Sequence, residues 1–121
     1  MAGLIFDSNI LIDQLRAIEA ARQEIGGDPD RAISIVTWIE LLAGASAEDE
    51  HLVHILLDDF ETVAIDEAIA KRAAMIRREL KIKLPDAVIW ATAQVRGELL
   101  VTRNTKDFPA DDPGVRIPYQ L

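Results

Sequence analysis

Short apolar runs alternate with longer stretches of helical periodicity along the chain. Leu4-Ile5-Phe6 is an apolar run that ends at Asp7 and predicts a buried strand. Behind the cap-forming Ser8 and Asn9, the apolar residues Ile10, Leu11, Leu15, Ile18 and Ala21 recur at helical spacing. They predict one helix from Ile10 to Ile25, stopped by Gly26-Gly27-Asp28-Pro29. Ala32 to Val36 reads as a second strand, with Thr37 capping a helix over Trp38 to Ala45. A further helix is expected from Glu48 to Asp59, and Thr62 to Ile65 reads as a third strand. Asp66-Glu67 opens a long helix to Lys81 that carries Ile69, Ala73, Ile76 and Leu80 on one face. Pro85 suits a first helical turn, and Ala87 to Val95 is apolar nearly all round, so that helix should be buried on most sides before Gly97 ends it. Leu99 to Thr102 is a fourth strand, and Val115-Arg116-Ile117 a short fifth.

Strands that alternate with helices form βαβ units, which require right-handed crossovers and a mostly parallel sheet. The expectation is a three-layer α/β/α domain. At 121 residues it fills one domain, 1–121, with enough apolar content (50%) to build a core on both faces of a sheet.

Charge narrows the function. The chain has 13 Lys and Arg against 21 Asp and Glu, a net charge of −8, which argues against a generic nucleic-acid-coating protein. It has no cysteine, which excludes a disulfide framework, a thiolate nucleophile and a Cys-ligated zinc site. No apolar run is long enough to span a bilayer, and the N-terminus MAGLIFDSN has no basic region, so neither a membrane anchor nor a signal peptide is expected. A cytoplasmic location is the resulting expectation.

In a parallel sheet, ligands bind at the carboxyl edge of the strands. Asp7 ends the first strand, and Glu40 lies in the first turn after the second. Asp86 starts the helix that returns to the fourth strand, which Asn104 and Asp107 follow. Asp66 and Glu67 also fall on this edge, and only strand order decides which acids meet. Clustered carboxylates repel one another, and a bound divalent cation removes that cost. Oxygen-only ligands suit Mg²⁺ or Mn²⁺, and such a centre can activate water to hydrolyse a phosphodiester.

These residues carry a resemblance to the PIN-domain ribonucleases, in particular to VapC-like toxins of type II toxin–antitoxin systems. The matching pieces are IFDSNILID (Ile5–Asp13), SIVTWIELLAG (Ser34–Gly44), LPDAVIWATA (Leu84–Ala93) and LLVTRNTKDF (Leu99–Phe108), in the family's order and spacing. The resemblance implies a strand order of 3-2-1-4-5, which leaves Asp66 and Glu67 outside the pocket. It implies Asp7 and Asp86 as ligands of Mg²⁺ or Mn²⁺, with Glu40 and Asp107 completing the catalytic acids. Many relatives carry Asp where Asn104 stands, so either Asp107 or Asn104 fills the fourth place. Ser8, Thr37 and Thr102 resemble the hydroxyl residues that support the pocket. The implied partners are an RNA substrate, a second copy of the chain and a cognate VapB-like antitoxin whose peptide occludes the pocket. Trp90 departs from the pattern, at a position that is small in most relatives.

Plainer roles compete at each position. Asp7 alone suits a strand-ending turn, and Asp86 a first-turn acid favoured by the helix dipole. Ser8 and Thr37 are expected to cap helices as well as to neighbour the pocket. His51 and His54 sit on a helix near Glu48 and Asp58, a spacing explained by a solvated face better than by a metal. Lys71, Arg72, Arg77, Arg78, Lys81 and Lys83 form either a solvated face or a track for RNA phosphates, while Arg103 and Lys106 lie closer to the pocket and are the candidates to touch the scissile phosphate. Three rival readings are a non-catalytic PIN-fold interaction module, a PIN nuclease of RNA maturation, and a phospho-receiver domain. The last needs paired acids after the first strand and a Lys after the fifth, where the chain has Asp7-Ser8 and Arg116 to Pro118.

Overall fold

A computed structural model describes residues 3–121. Met1 and Ala2, which belong to the expectation about a leader, lie outside them. Five strands, β1 (Leu4–Phe6), β2 (Arg31–Ser34), β3 (Glu61–Val63), β4 (Leu99–Val101) and β5 (Val115–Arg116), form one sheet in the order β3-β2-β1-β4-β5. All four pairings are parallel. Six helices cover the faces: α1 (Ser8–Leu15), α2 (Glu19–Gly26), α3 (Ile35–Gly44), α4 (Glu50–Leu57), α5 (Glu67–Leu80) and α6 (Leu84–Arg96).

Alternation along the strands divides the core in two. Ile5, Ala32 and Leu100 face α5 and α6, where Ile69, Ala73, Ile76, Ala87 and Ile89 are buried. Phe6, Ile33 and Val101 face α1 to α4, where Ile10, Leu11, Leu41, Val53 and Phe60 are buried. Trp90 lies in the first of these cores, edge-on to Phe108 with ring centroids 5.5 Å apart. The large side chain therefore fills the space under the β4–β5 connection. No helix among the described residues is long and apolar enough to cross a membrane.

The local structure corrects three sequence expectations. The single helix expected over Ile10–Ile25 is two. After Leu15 the chain turns through Ala17, at φ +61°, and the amide of Ile18 returns to the Asp13 carbonyl. Asp7, not Ser8 or Asn9, caps α1, accepting from the Ser8 amide at 2.7 Å. Ser34, not Thr37, caps α3, accepting from the Val36 amide at 3.0 Å. Helix α3 therefore starts three residues earlier than expected, and Glu40 sits in its middle and not in its first turn.

Candidate active site

The strand order places β2, β1 and β4 side by side, so the residues that follow them share one stretch of carboxyl edge. Asp7 follows β1, and its amide continues the ladder to the Val101 carbonyl at 2.9 Å. Asp7 as a whole is only 4% exposed. Oδ1 accepts from the Ser8 amide, and Oδ2 accepts from Thr102 Oγ1 at 2.7 Å and from Asn9 Nδ2 at 3.2 Å.

Thr102, the residue after β4, is fully buried and joins two elements. Its hydroxyl donates to Asp7 and accepts from Asn9 Nδ2 at 3.2 Å and from the Asn104 amide at 3.0 Å. Asn104 then organises the following turn. Its Oδ1 accepts from the amides of Lys106 and Asp107, and its Nδ2 donates to Asp107 Oδ2 at 3.1 Å. Asn104 and Asp107 thus act as a pair, the amide holding the carboxylate.

On the other side, Ser8 Oγ donates to Glu40 Oε1 at 2.7 Å and lies 3.1 Å from Thr37 Oγ1. A hydroxyl carries one proton, so the second contact is Thr37's to donate. Thr37 is fully buried and fixes Ser8, which in turn holds Glu40. Asp86 stands in the first turn of α6, behind Pro85.

Electrostatics links these acids. Burial pushes Asp7 up to about 6, and the charges of Asp86 and Glu40 add to the rise, against the bonds from Thr102 and Ser8. Asp86 is also raised, by burial first and then by the charges of Asp107 and Glu40, with Lys83 opposing. The structure therefore brings Asp7, Glu40, Asp86 and Asp107 into one field. Asp66 is elsewhere, capping α5 through the Ile69 amide. None of the four acids forms an ion pair with a Lys or Arg among the described residues.

That excess negative charge tests the fit of a divalent cation. The donor set is oxygen only, as Mg²⁺ or Mn²⁺ requires. No three Asp, Glu, His or Cys side chains among the described residues close tightly enough to hold an ion by themselves. Mg²⁺ keeps several waters and takes one or two carboxylates directly, so an open set of acids suits it. Asp7 and Asp86, the two carboxyls raised by burial and repulsion, are the residues a cation relieves most.

Other expected contacts sort differently. Arg103 does not lie free beside the pocket: its guanidinium donates to both oxygens of Asp13, at 2.6 and 2.9 Å. Lys106 is exposed at the turn held by Asn104. In the basic stretch, Lys71 pairs with Glu67, Arg72 donates to Gln94, and Arg77 donates to the Ile82 carbonyl. His54 stacks edge-on against Trp38 and lies 3.8 Å from Glu50, with no metal-binding cluster around it among the described residues.

Two further residues, Asn9 and Asp13, belong to the site's support. Asn9 looked like a cap and instead bridges Asp7 and Thr102. Asp13 is 1% exposed, and a carboxylate on the buried side of an apolar helix was the signal that it needs a partner. A groove of about 410 Å³ has Glu40 in its lining and runs between α1 on one wall and α3 and α4 on the other, lined also by Ile12, Leu15, Arg16, Gly44 and Leu52.

Comparison with known proteins agrees with this architecture. The PIN domain family model matches residues 4–110. Ribonuclease VapC10 of Mycobacterium tuberculosis is 37% identical over 114 residues, covering 88% of this chain and 86% of the relative. A toxin–antitoxin complex from Klebsiella pneumoniae contains a chain 43% identical that superimposes with a TM-score of 0.91, covering 98% of this chain and all of that one. A DNA-bound VapBC structure from Salmonella typhimurium gives a TM-score of 0.81 at 26% identity, with 97% of each chain covered. The chain belongs to the PIN domain family, among relatives of the VapC kind.

Proposed function

We propose that this chain is a Mg²⁺- or Mn²⁺-dependent endoribonuclease acting as a VapC-like toxin. The observation that carries the reading is a carboxyl edge on which four acids share one field, with no Lys or Arg among the described residues paired to them. Asp7 and Asp86 would hold the cation, and Glu40 and Asp107 would complete the pocket. When bound, the cation supplies Lewis acidity for water and for the phosphate oxygens.

The chain's own residues supply placement. Thr102, Asn9 and the Ser8 amide fix Asp7, so both of its oxygens keep one orientation. Ser8 and Thr37 hold Glu40, and Asn104 holds Asp107. Lys106, exposed on that turn, is positioned to meet a phosphate. Arg103 is already engaged by Asp13. Asn104, which stands where many relatives carry Asp, supports the fourth acid through its amide, and this favours the catalytic reading over a non-catalytic module.

The partner is a VapB-like antitoxin whose peptide lies in the groove that Glu40 lines. This follows the toxin–antitoxin assembly of the Klebsiella pneumoniae relative and the largely apolar lining of the groove, which Ile12, Leu15, Leu41, Leu52 and Val53 provide. A homodimer and a cytoplasmic location complete the reading.

The test is cleavage of total cellular RNA by purified protein with Mg²⁺ or Mn²⁺, with EDTA, and with Asp7→Asn. Discrete fragments that need the metal and Asp7 are expected. Cleavage that survives EDTA, or survives in Asp7→Asn, overturns the mechanism. No cleavage by antitoxin-free protein under either ion overturns the nuclease reading.

A further inference from the structure

Beyond the acids and hydroxyls stands a second polar unit. Asp13 lies on α1, Arg103 on the β4–β5 connection and Tyr119 on the C-terminal segment. Arg103 grips both oxygens of Asp13, and Tyr119 Oη donates to Asp13 Oδ2 at 2.7 Å. The guanidinium is 29% exposed and the carboxylate 1% exposed, so the pair is shielded on its acidic side. Three bonds, two of them a bidentate fork, order this contact in both distance and direction.

Arg103 stands between Thr102, which donates to Asp7, and Asn104, which holds Asp107. Its own amide lies 3.4 Å from Asn9 Oδ1. Asn9 Nδ2, at the other end of that amide, reaches both Asp7 Oδ2 and Thr102 Oγ1. A flipped Asn9 would aim its oxygen at the Asp7 carboxylate and lose both bonds. The Arg103 amide therefore selects the one Asn9 orientation that donates to Asp7. A continuous chain of contacts runs from Tyr119 through Asp13, Arg103 and Asn9 to the catalytic carboxylate.

We infer that Asp13, Arg103 and Tyr119 are positioning residues: they clamp the start of the β4–β5 connection so that Asn9 and Thr102 orient Asp7, which makes the C-terminal segment part of the site. The catalytic consequence rests on the nuclease reading above, whereas the clamp itself does not. This role differs from a direct contact of Arg103 with RNA, and the two make opposite predictions for Asp13. A positioning pair loses the same function whichever partner is removed. A phosphate-binding Arg103 is released, not disabled, by removal of Asp13.

The experiment uses Asp13→Asn, Arg103→Gln, their combination and Tyr119→Phe, each confirmed as folded by thermal melting. Three quantities are read: the side-chain amide resonance of Asn9 in metal-free protein, the Kd for Mn²⁺ without RNA, and kcat and KM for RNA cleavage. Both single variants are expected to shift and broaden the Asn9 resonance, weaken Mn²⁺ by about tenfold, and lower kcat with little change in KM. The combined variant should be no worse than the weaker single one, and Tyr119→Phe should move each quantity less, with the same sign. A rise in KM confined to Arg103→Gln, with Asp13→Asn unaffected, overturns the inference in favour of an RNA contact. A lower melting temperature with unchanged Asn9 resonance and Mn²⁺ affinity overturns it in favour of plain stabilisation. If the parent protein cleaves no RNA, the nuclease reading fails, and the Asn9 resonance and Mn²⁺ binding still decide the clamp.

Discussion

Thr102 donates its only hydroxyl proton to Asp7 Oδ2 at 2.7 Å, from one strand end to the next. Thr102 Oγ1 in turn accepts from Asn9 Nδ2 and from the Asn104 amide, so one buried hydroxyl ties together the residue after β1, α1 and the β4–β5 turn. Thr102→Val keeps the shape and removes the donor, leaving the carboxylate short of one bond and two N–H groups without an acceptor. Metal affinity and cleavage should fall by about 10–100-fold, as for other groups that orient a ligand. Thr102→Ser retains the hydroxyl and should recover most of the loss. Isothermal titration with Mn²⁺ beside a cleavage assay checks both variants, and equal activity in Thr102→Val and the parent would remove Thr102 from the site.

Asp7 should weaken the fold that it equips. Its carboxyl is raised from 3.8 to about 6, so the folded state holds a proton more firmly than the unfolded chain does. The associated stability is fully present below the unfolded value and is lost as pH rises through about 6. Metal-free protein should therefore lose stability across that window. Asp7→Asn, which carries no charge there, should be the more stable protein in EDTA at pH 7.5, by about 1–3 kcal/mol. Mg²⁺ should raise the melting temperature of the parent and not of the variant. Thermal melts against pH, with and without Mg²⁺, check the sign.

Asp13 should behave in the opposite sense. The Arg103 fork, helped by Tyr119, holds its carboxyl below the usual range against the opposing effect of burial. Its contribution is present above the unfolded value and is lost as pH falls through the lowered one. The stability difference between the parent and Asp13→Asn should accordingly be constant near neutrality and shrink in strong acid. Urea unfolding midpoints at several pH values measure it, and a difference that widens on acidification contradicts the pairing.

What was legible in the sequence was what the hydrophobic pattern and the turn residues encode. The five strands, the long α5 and the buried α6 follow from periodicity, and the 3-2-1-4-5 order from the resemblance of four motifs. The break between α1 and α2 was illegible because no Gly or Pro marks it. Ala17 takes the left-handed conformation there, held by amide bonds of Ala17 and Ile18 back to α1. Capping misled for a related reason. Asp7, Ser8 and Asn9 are all good caps by type, and only the three-dimensional contacts show that Ser8 turns to Glu40 and Asn9 to Thr102. Asp7 and Asp86 were legible because they stand at a strand end and a helix start on one edge, whereas Glu40, in the middle of α3, and Asp107, in the β4–β5 connection, were legible from the motifs. Their supports were less so: Asn104 and Asp107 looked like alternatives and are partners, and Arg103 looked free because Asp13 lies 90 residues away.

The groove beside Glu40 lets the proposed inhibition be tested apart from catalysis. Leu52 on α4 is 58% exposed and lines the groove opposite α1. Leu52→Glu adds a charge to an apolar wall that an antitoxin peptide would cover, and leaves Asp7, Glu40, Asp86 and Asp107 as they are. Folding should be unaffected, because the side chain buries little surface in the free protein. Antitoxin affinity should fall by at least about tenfold, the effect of roughly 1.4 kcal/mol of lost burial and added desolvation. RNA cleavage by the free variant should match that of the parent, while the antitoxin should no longer suppress it at stoichiometric amounts. A cleavage assay titrated with antitoxin reads both properties at once. Full suppression of the variant at the parent's stoichiometry would place the antitoxin peptide elsewhere, and a loss of basal cleavage would show that the groove wall also serves the substrate.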